Sequence, residues 1–265
     1  MVNTVARERP SGEFVQSLER GLAVIRAFSA SQSHLTLADV ARETGLSRAV
    51  ARRFLHTLVE LGYVGTDGKH FHLRPLLLEL GHTYLSGLGL PEIAQPHLRD
   101  LSEATGESTS VAVLDGDDVV YIAREAVYRI MTAAIGVGTR FPAYATSLGR
   151  AILACGSPER AEAYLSRVEL RPLTAHTIVE PAALRADLRR IRRQGWALVD
   201  QELEEGLRSI AAPLRDASGE VVAALNISAP VRRSVEEIRS ELSGPLLRTA
   251  RAIQEDIDRI GPRIG

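Results

Sequence analysis

Apolar residues recur every three or four positions between Ser17 and Ala30, at Leu18, Leu22, Ile25 and Phe28, which is the period of a helix with one buried side. A small polar turn follows. Thr36 and Asp39 then have the spacing of a capping box, with Asp in place of the usual Glu, and start a short helix through Leu37, Val40 and Ala41. Gly45 ends it, as glycine commonly does at a helix C-terminus. Ser47 is placed to cap a third helix reaching about Leu61, with Leu46, Val50, Phe54, Leu58 and Leu61 expected on its buried side. Two strand-like pieces, Tyr63 to Gly65 and Phe71 to Leu73, flank Thr66-Asp67-Gly68, and Asp-Gly is a strong hairpin signal.

The second part of the chain has a different rhythm. Leu76 to Tyr84 reads as a connecting helix, broken by Gly87, Gly89 and Pro91. A helix is expected from Ala94 to Thr105, then strands at Thr109 to Leu114, Val119 to Arg124 and Arg129 to Ile135. Helices follow at Ser147 to Ala154, Pro158 to Val168 and Pro181 to Gln194, the last strongly basic. Strands return at Trp196 to Gln201, Ser209 to Leu214 and Val221 to Ser228, and a final helix spans Val235 to about Ile260. Helices mixed with a largely antiparallel sheet imply an α+β domain. The expected division is a disordered tail over 1–14, a three-helix and hairpin domain over 15–75, a linker helix over 76–90 and a larger domain over 91–261.

Composition narrows the function classes. With 265 residues, 45% of them hydrophobic, the chain suits two domains with real cores. Net charge is -1, so any nucleic-acid surface has to be a local patch. Of 32 basic residues only Lys69 is lysine, so no phosphate loop with its lysine is present elsewhere. Cys155 is the single cysteine and lies on an apolar helix, where an inert buried thiol is the usual case. An internal disulfide is therefore impossible, and no metal site is read from the residues: His70 and His72 share a strand face, but no further ligand joins them. The N-terminus lacks the apolar core of a signal peptide and no run is long enough for a membrane span, so a soluble cytoplasmic protein is expected. The seven histidines are scattered, and Glu202, Glu204 and Glu205 read as a charged turn. No nucleophile, base and electrophile assemble, so catalysis on a small carboxylic acid is only a remote alternative and no cofactor is implied.

The first domain has the parts of a helix-turn-helix: Ala41 inside one helix, Gly45 in the turn, and an apolar seam on the next. The opposite side of the third helix carries Ser47, Arg48, Arg52, Arg53 and His56, and Arg48, Arg52 and His56 stand four apart on one face. Such a helix can enter a major groove, where arginine grips guanine or phosphate. Lys69 and His70 lie near the hairpin tip, placed as a wing that touches backbone or minor groove. Three arginines on a helix are also what an ordinary solvated face looks like, and a protein-interaction module with an idle basic face is a further reading.

The runs Ser17-Leu18-Glu19-Arg20-Gly21-Leu22, Leu37-Ala38-Asp39-Val40-Ala41, Thr44-Gly45-Leu46-Ser47-Arg48 and Leu58-Val59-Glu60-Leu61-Gly62-Tyr63 resemble the IclR family of bacterial regulators. The resemblance extends over nearly the whole chain, through Ala145 to Ala151, Gly195-Trp196, Gly206 to Pro213 and Val221 to Ser228. It implies a winged helix-turn-helix reading a palindromic operator, with Thr36, Ser47, Arg48, Arg52, Arg53, Lys69 and His70 as the DNA-contacting set. It also implies a linker helix that helps form a homodimer or homotetramer, a GAF-like effector domain, and RNA polymerase contact if the protein is an activator.

For the effector, Thr146 or Ser147 caps a helix whose first amides, at Leu148, Gly149 and Arg150, form a ready anion site, with Gly149 allowing close approach. From the residues alone Ser147 reads better as a purely structural cap, and it is the resemblance that tips it toward a pocket wall. By position in the family, Asp200, Glu202, Ser209, Asn226 and Ser228 join the site, and Asn226 stands where many relatives have Ser. Arg140 is either a carboxylate clamp or a surface arginine. Runs such as Arg167 to Thr174, Pro142 to Ser147 and Asp200 to Ile210 resemble the PcaR/PcaU/PobR branch, which controls protocatechuate, β-ketoadipate and 4-hydroxybenzoate catabolism. The implied effector is an aromatic acid or its ring-cleaved dicarboxylate; the alternative is another small acid, as in glyoxylate or acetate use.

Overall fold

The computed structural model describes residues 13–29, 32–81, 89–127, 135–216 and 218–260. The chain divides into two compact units, Met1–Thr83 and Tyr84–Gly265. Most of the expected tail, the far end of the expected linker helix (82–84) and most of the strand expected at Arg129 to Ile135 lie outside the described residues. What is described of the linker is a single 3-10 turn, Pro75–Leu77, and the helical residues 78–81.

The first unit contains helices α1 (Gln16–Arg26), α2 (Leu37–Thr44) and α3 (Arg48–Glu60) with strands β1 (His34–Thr36), β2 (Val64–Thr66) and β3 (His70–Leu73). The strands form one small sheet in the order β1-β3-β2, with Leu35 opposite Phe71 and Thr66 opposite Phe71 across the two ladders. Strand β1 has no counterpart in the expected elements, because three residues are too few to show alternation. The core is Val24, Phe28, Leu35, Val40, Ala41, Ala51, Leu55, Leu58, Val64 and Phe71. It corrects two expected faces. On α3 the buried line is Ala51, Leu55 and Leu58, with Val50 and Phe54 half-buried and Leu61 exposed. The small Ala51 gives little signal in a sequence pattern yet sits fully buried. On α1 only the C-terminal half meets the core, so Leu18 and Leu22 are exposed.

The second unit is built on an antiparallel six-stranded sheet in the order β6-β5-β4-β9-β8-β7. Its strands are β4 (Ser108–Asp115), β5 (Asp118–Glu125), β6 (Arg140–Pro142), β7 (Ala197–Asp200), β8 (Leu207–Arg215) and β9 (Val221–Pro230). The helices are α4 (Leu90–Thr105), α5 (Ser147–Cys155), α6 (Pro158–Arg167), α7 (Pro181–Gln194), the short α8 (Val235–Glu237) and α9 (Ser243–Ile260). A π-helical turn, Ile238–Leu242, interrupts what the sequence suggests is one continuous last helix.

Side-chain alternation gives the sheet two faces of different size. Val111, Ile210, Leu225 and Ile227 pack with Leu98 of α4 and Leu246 and Ile253 of α9. The other face presents Ala112, Ala197, Ala211 and Ala224 under α5, and these short side chains let that helix lie close to the strands. Following the same face along the strands, the alanines give way to Ser110 and Ser108 on β4, Asn226 and Ser228 on β9, and Ser209 on β8. The polar floor begins where α5 begins.

Candidate functional site

In the first unit, Thr36 and Asp39 form a reciprocal capping box, with Asp39 N donating to Thr36 Oγ1 at 3.3 Å and Thr36 N to Asp39 Oδ2 at 3.1 Å. Gly45 takes φ of 67°, which a residue with a Cβ adopts at a cost, and turns the chain from α2 into α3. Ser47 caps α3 by accepting from Val50 N at 3.3 Å. Ser47, Arg48, Arg52, Arg53 and His56 are all exposed on one side of α3, and among the described residues the three arginines have no ion-pair partner. The hairpin tip is held by Asp67, whose Oδ1 accepts from Lys69 N at 2.8 Å and His70 N at 2.6 Å. Those backbone donors hold the Asp67 carboxyl well below the usual range, with the His70 side chain adding to them. Lys69 is exposed at the tip.

Two expected DNA contacts are otherwise occupied. The Thr36 hydroxyl is taken up by the cap, and the His70 ring lies 3.2 Å from Asp67 Oδ2. Of the expected DNA-contacting set, the cations without an ion-pair partner among the described residues are therefore Arg48, Arg52, Arg53 and Lys69.

In the second unit a cavity of about 220 Å³ opens beyond the N-terminus of α5. The sheet floors it with Ser108, Ser209, Asn226 and Ser228, and α5 contributes Ser147. Tyr121, Val127, Ile135, Val199 and Leu203 make the apolar walls, and the β7–β8 loop brings Glu204, Glu205 and Gly206. Arg124 reaches in from β5. A bulge puts it there: the register shifts between Val111 and Ala112, so Ile122 and Ala123 both face the helical core while Tyr121 and Arg124 both face the cavity.

Among the described residues, three buried side-chain atoms lack any hydrogen-bond partner: Arg124 Nε, Ser147 Oγ and Asn226 Oδ1. All three residues line this cavity. Arg124 makes one side-chain bond, Nη1 to Ser110 Oγ at 3.1 Å, and pairs with no carboxylate among the described residues. Burial lowers its pKa, with Tyr121 opposing weakly, but a guanidinium stays charged in water's range. Burial also pushes the Tyr121 phenol up to about 12, so it is a neutral aromatic wall. Buried polar atoms are nearly always satisfied, so three orphans on the lining of one cavity mark it as the candidate site.

Five expected effector residues are elsewhere. Arg140 lies on β6, exposed at the sheet edge, with Nη1 2.6 Å from Asp115 Oδ2 and Nε 3.3 Å from Asp118 Oδ2. Leu148 is fully buried in the α5 core. Gly149 admits the chain rather than a ligand: a Cβ there would stand 2.3 Å from Ala143 O. Its amide is already spent on the helix cap, donating to Thr146 Oγ1 at 3.0 Å. Asp200 pairs with Arg208 at 2.7 Å. Glu202 forks onto Arg150, with Nη1–Oε1 of 2.7 Å and Nη2–Oε2 of 2.5 Å, in a buried pair that Asp187 completes at 3.1 Å. Ser147, Ser209, Asn226 and Ser228 do line the cavity. Sequence reasoning misses Arg124, because strict alternation separates it from Tyr121.

The model of the IclR helix-turn-helix domain matches residues 17–68, and that of the bacterial transcriptional regulator IclR C-terminal domain matches residues 82–255. The chain belongs to the IclR family. IclR proteins are transcriptional regulators rather than enzymes. The Pca regulon regulatory protein of Pseudomonas putida is 46% identical to this IclR protein over 246 residues, 92% of this chain and 84% of the relative. A transcriptional regulator of Rhodococcus sp. RHA1 has a solved structure with a TM-score of 0.83 and 53% identity, covering 94% of this chain and all of that one (100%). An IclR homologue from Microbacterium hydrocarbonoxydans, solved in complex with 4-hydroxybenzoate, has a TM-score of 0.81 and 27% identity, covering 92% of this chain and 99% of that one.

Proposed function

We propose that the cavity is the effector site of this regulator, that it takes a small acid of aromatic catabolism, and that occupancy changes how the protein acts at a palindromic operator bound as a homodimer. The observation that carries this reading is Arg124, half-buried on the cavity lining with its buried Nε unpartnered and with no carboxylate of its own among the described residues, beside the unpartnered Ser147 hydroxyl. A carboxylate there accepts charge-assisted bonds from Arg124 and a bond from Ser147. Tyr121, Val127, Ile135 and Leu203 offer apolar surface suited to a ring rather than to a two-carbon acid such as glyoxylate. Two relatives agree with this: one is a Pca regulon regulatory protein and another was crystallised with 4-hydroxybenzoate.

On DNA, the reading assigns α3 to the major groove, with Arg48 and Arg52 on base edges or phosphate, and Lys69 at the wing. A thermal-shift panel tests the effector half. 4-Hydroxybenzoate or protocatechuate is expected to raise the melting temperature of the full chain, because a ligand that binds only the folded state stabilises it. A response to glyoxylate alone, or to none of the acids, would refute it. For the DNA half, Arg52→Ala is expected to weaken operator binding and to lower the salt slope by roughly 0.9 if the contact is to phosphate. Unchanged operator affinity in both Arg48→Ala and Arg52→Ala would point instead to an idle basic face.

A further inference from the structure

The three orphan atoms of the cavity are not alike. Arg124 Nε is a donor only, and Ser147 Oγ can donate or accept. Asn226 Oδ1 is an acceptor only: its amide nitrogen already donates to Ser228 Oγ at 3.1 Å, and the oxygen is left without a partner on a cavity-lining side chain that is 2% exposed. A carboxylate cannot satisfy that oxygen, since both are acceptors. Only an O–H or N–H on the ligand can.

Position on the sheet separates the two demands. Arg124 and Asn226 both pair with Ser110, one from each side, so they occupy a single row across three adjacent strands. Two strand spacings, roughly 9–10 Å at the backbone, lie between them, and both side chains point into the same space. Beyond Asn226, in the same direction, the β7–β8 loop brings Glu204 and Glu205 to the cavity, exposed and without an ion-pair partner among the described residues. One end of the cavity is therefore a lone cation, and the other end is an amide oxygen backed by two carboxylates.

We infer that Asn226 and the Glu204–Glu205 rim determine specificity, selecting an acid with one carboxylate and a hydroxyl across the ring from it, and rejecting dicarboxylates. This rests on the effector reading above and sharpens it. Arg124 and Ser147 hold the carboxylate. The ligand hydroxyl donates to Asn226 Oδ1. A second carboxylate at that position meets an acceptor it cannot bond and a rim of like charge, and a plain ring leaves the buried oxygen unpaired.

Calorimetric titration of the full chain with 4-hydroxybenzoate, benzoate and terephthalate tests it, since these share one ring and differ only at the distal group. 4-Hydroxybenzoate is expected to bind about tenfold or more tightly than benzoate, which is ~1.4 kcal/mol, and terephthalate to bind weakest. Asn226→Leu is expected to bring the 4-hydroxybenzoate to benzoate ratio close to one. The exposed double substitution Glu204→Gln with Glu205→Gln is expected to recover terephthalate binding without removing that ratio. Benzoate or terephthalate binding the unsubstituted protein as tightly as 4-hydroxybenzoate would overturn the inference and leave the effector site standing. Failure of all three acids, and of protocatechuate, to bind would overturn the effector reading and the inference together.

Discussion

Glu202→Gln changes one atom and removes one charge from the most enclosed ion pair among the described residues. Arg150 is 1% exposed and Glu202 6%. Glu202 accepts two bonds from Arg150, and Oε2 also accepts from Ile178 N at 2.8 Å. The amide replaces one acceptor oxygen with a donor NH2, which then faces either the Arg150 guanidinium or the Ile178 N–H. One charge-assisted bond is lost, worth about 1.5–3 kcal/mol, and the arginine loses its principal counter-charge. Breaking a buried pair from one side costs about 3–5 kcal/mol. Asp187 remains 3.1 Å from Arg150 and Tyr144 O still accepts from its Nε at 2.7 Å, so the low end applies. At about 2–4 °C per kcal/mol for a unit of this size, a loss of ~3 kcal/mol lowers the melting temperature by roughly 6–12 °C. Differential scanning calorimetry of the two proteins reads this directly. A drop under about 2 °C would refute the reasoning, because it would mean that the arginine recruits water or another partner at no cost.

Other expectations follow from single features. Gly149→Ala sets a Cβ 2.3 Å from the Ala143 carbonyl, so α5 or the turn before it has to move; a loss of about 1–3 kcal/mol in urea unfolding is expected, and a neutral change would show that the contact is slack. Thr36→Ala deletes the cap of α2 and is expected to cost about 1 kcal/mol, read by the same method. In the first unit the Thr36 side chain and backbone depress the Asp39 carboxyl, and the His70 and Lys69 amides depress that of Asp67. Folded-state values below the ordinary 3.8 mean that this stabilisation is complete above that pH and is lost as pH falls below it. Melting curves from pH 6 down to about 2.5 are expected to show that loss reduced when both residues are replaced by Asn. Burial raises the Cys155 thiol, so alkylation by iodoacetamide at neutral pH is expected to be slower than for free cysteine.

Much of this is legible in the amino-acid sequence, and the boundary has physical reasons. The Thr36–Asp39 box, the Gly45 turn, the Ser47 cap and the Asp67-Gly68 hairpin are local devices whose residues lie within a few positions of one another, and each is found where the sequence places it. Asn226 and Ser228 follow from the period of a strand and do face one way. Arg124 does not follow, because a bulge breaks the alternation that would place it, and bulges leave no mark in Tyr-Ile-Ala-Arg. Arg140, Asp200 and Glu202 were plausible because their charges suit a carboxylate site or its surroundings. Their partners, Asp115, Arg208 and Arg150, are distant in the chain for Arg140 and Glu202, and only the fold reveals that these charges are already spent. Gly149 illustrates the same point for backbone: its need for closeness is real, but the neighbour is Ala143.

The strand order has a consequence for how the protein is made. Strand β4 is synthesised first and β9 last among the six, yet they lie side by side at the centre, with Ser108 opposite Ser228 and Ser110 opposite Asn226. The cavity floor is thus stitched from opposite ends of the second unit. Such distant pairings form slowly, and on the ribosome they cannot form until the last strand has emerged. A nascent chain in which β9 has not yet emerged therefore lacks Asn226 and Ser228 of that floor, together with the strand that pairs with both β4 and β8.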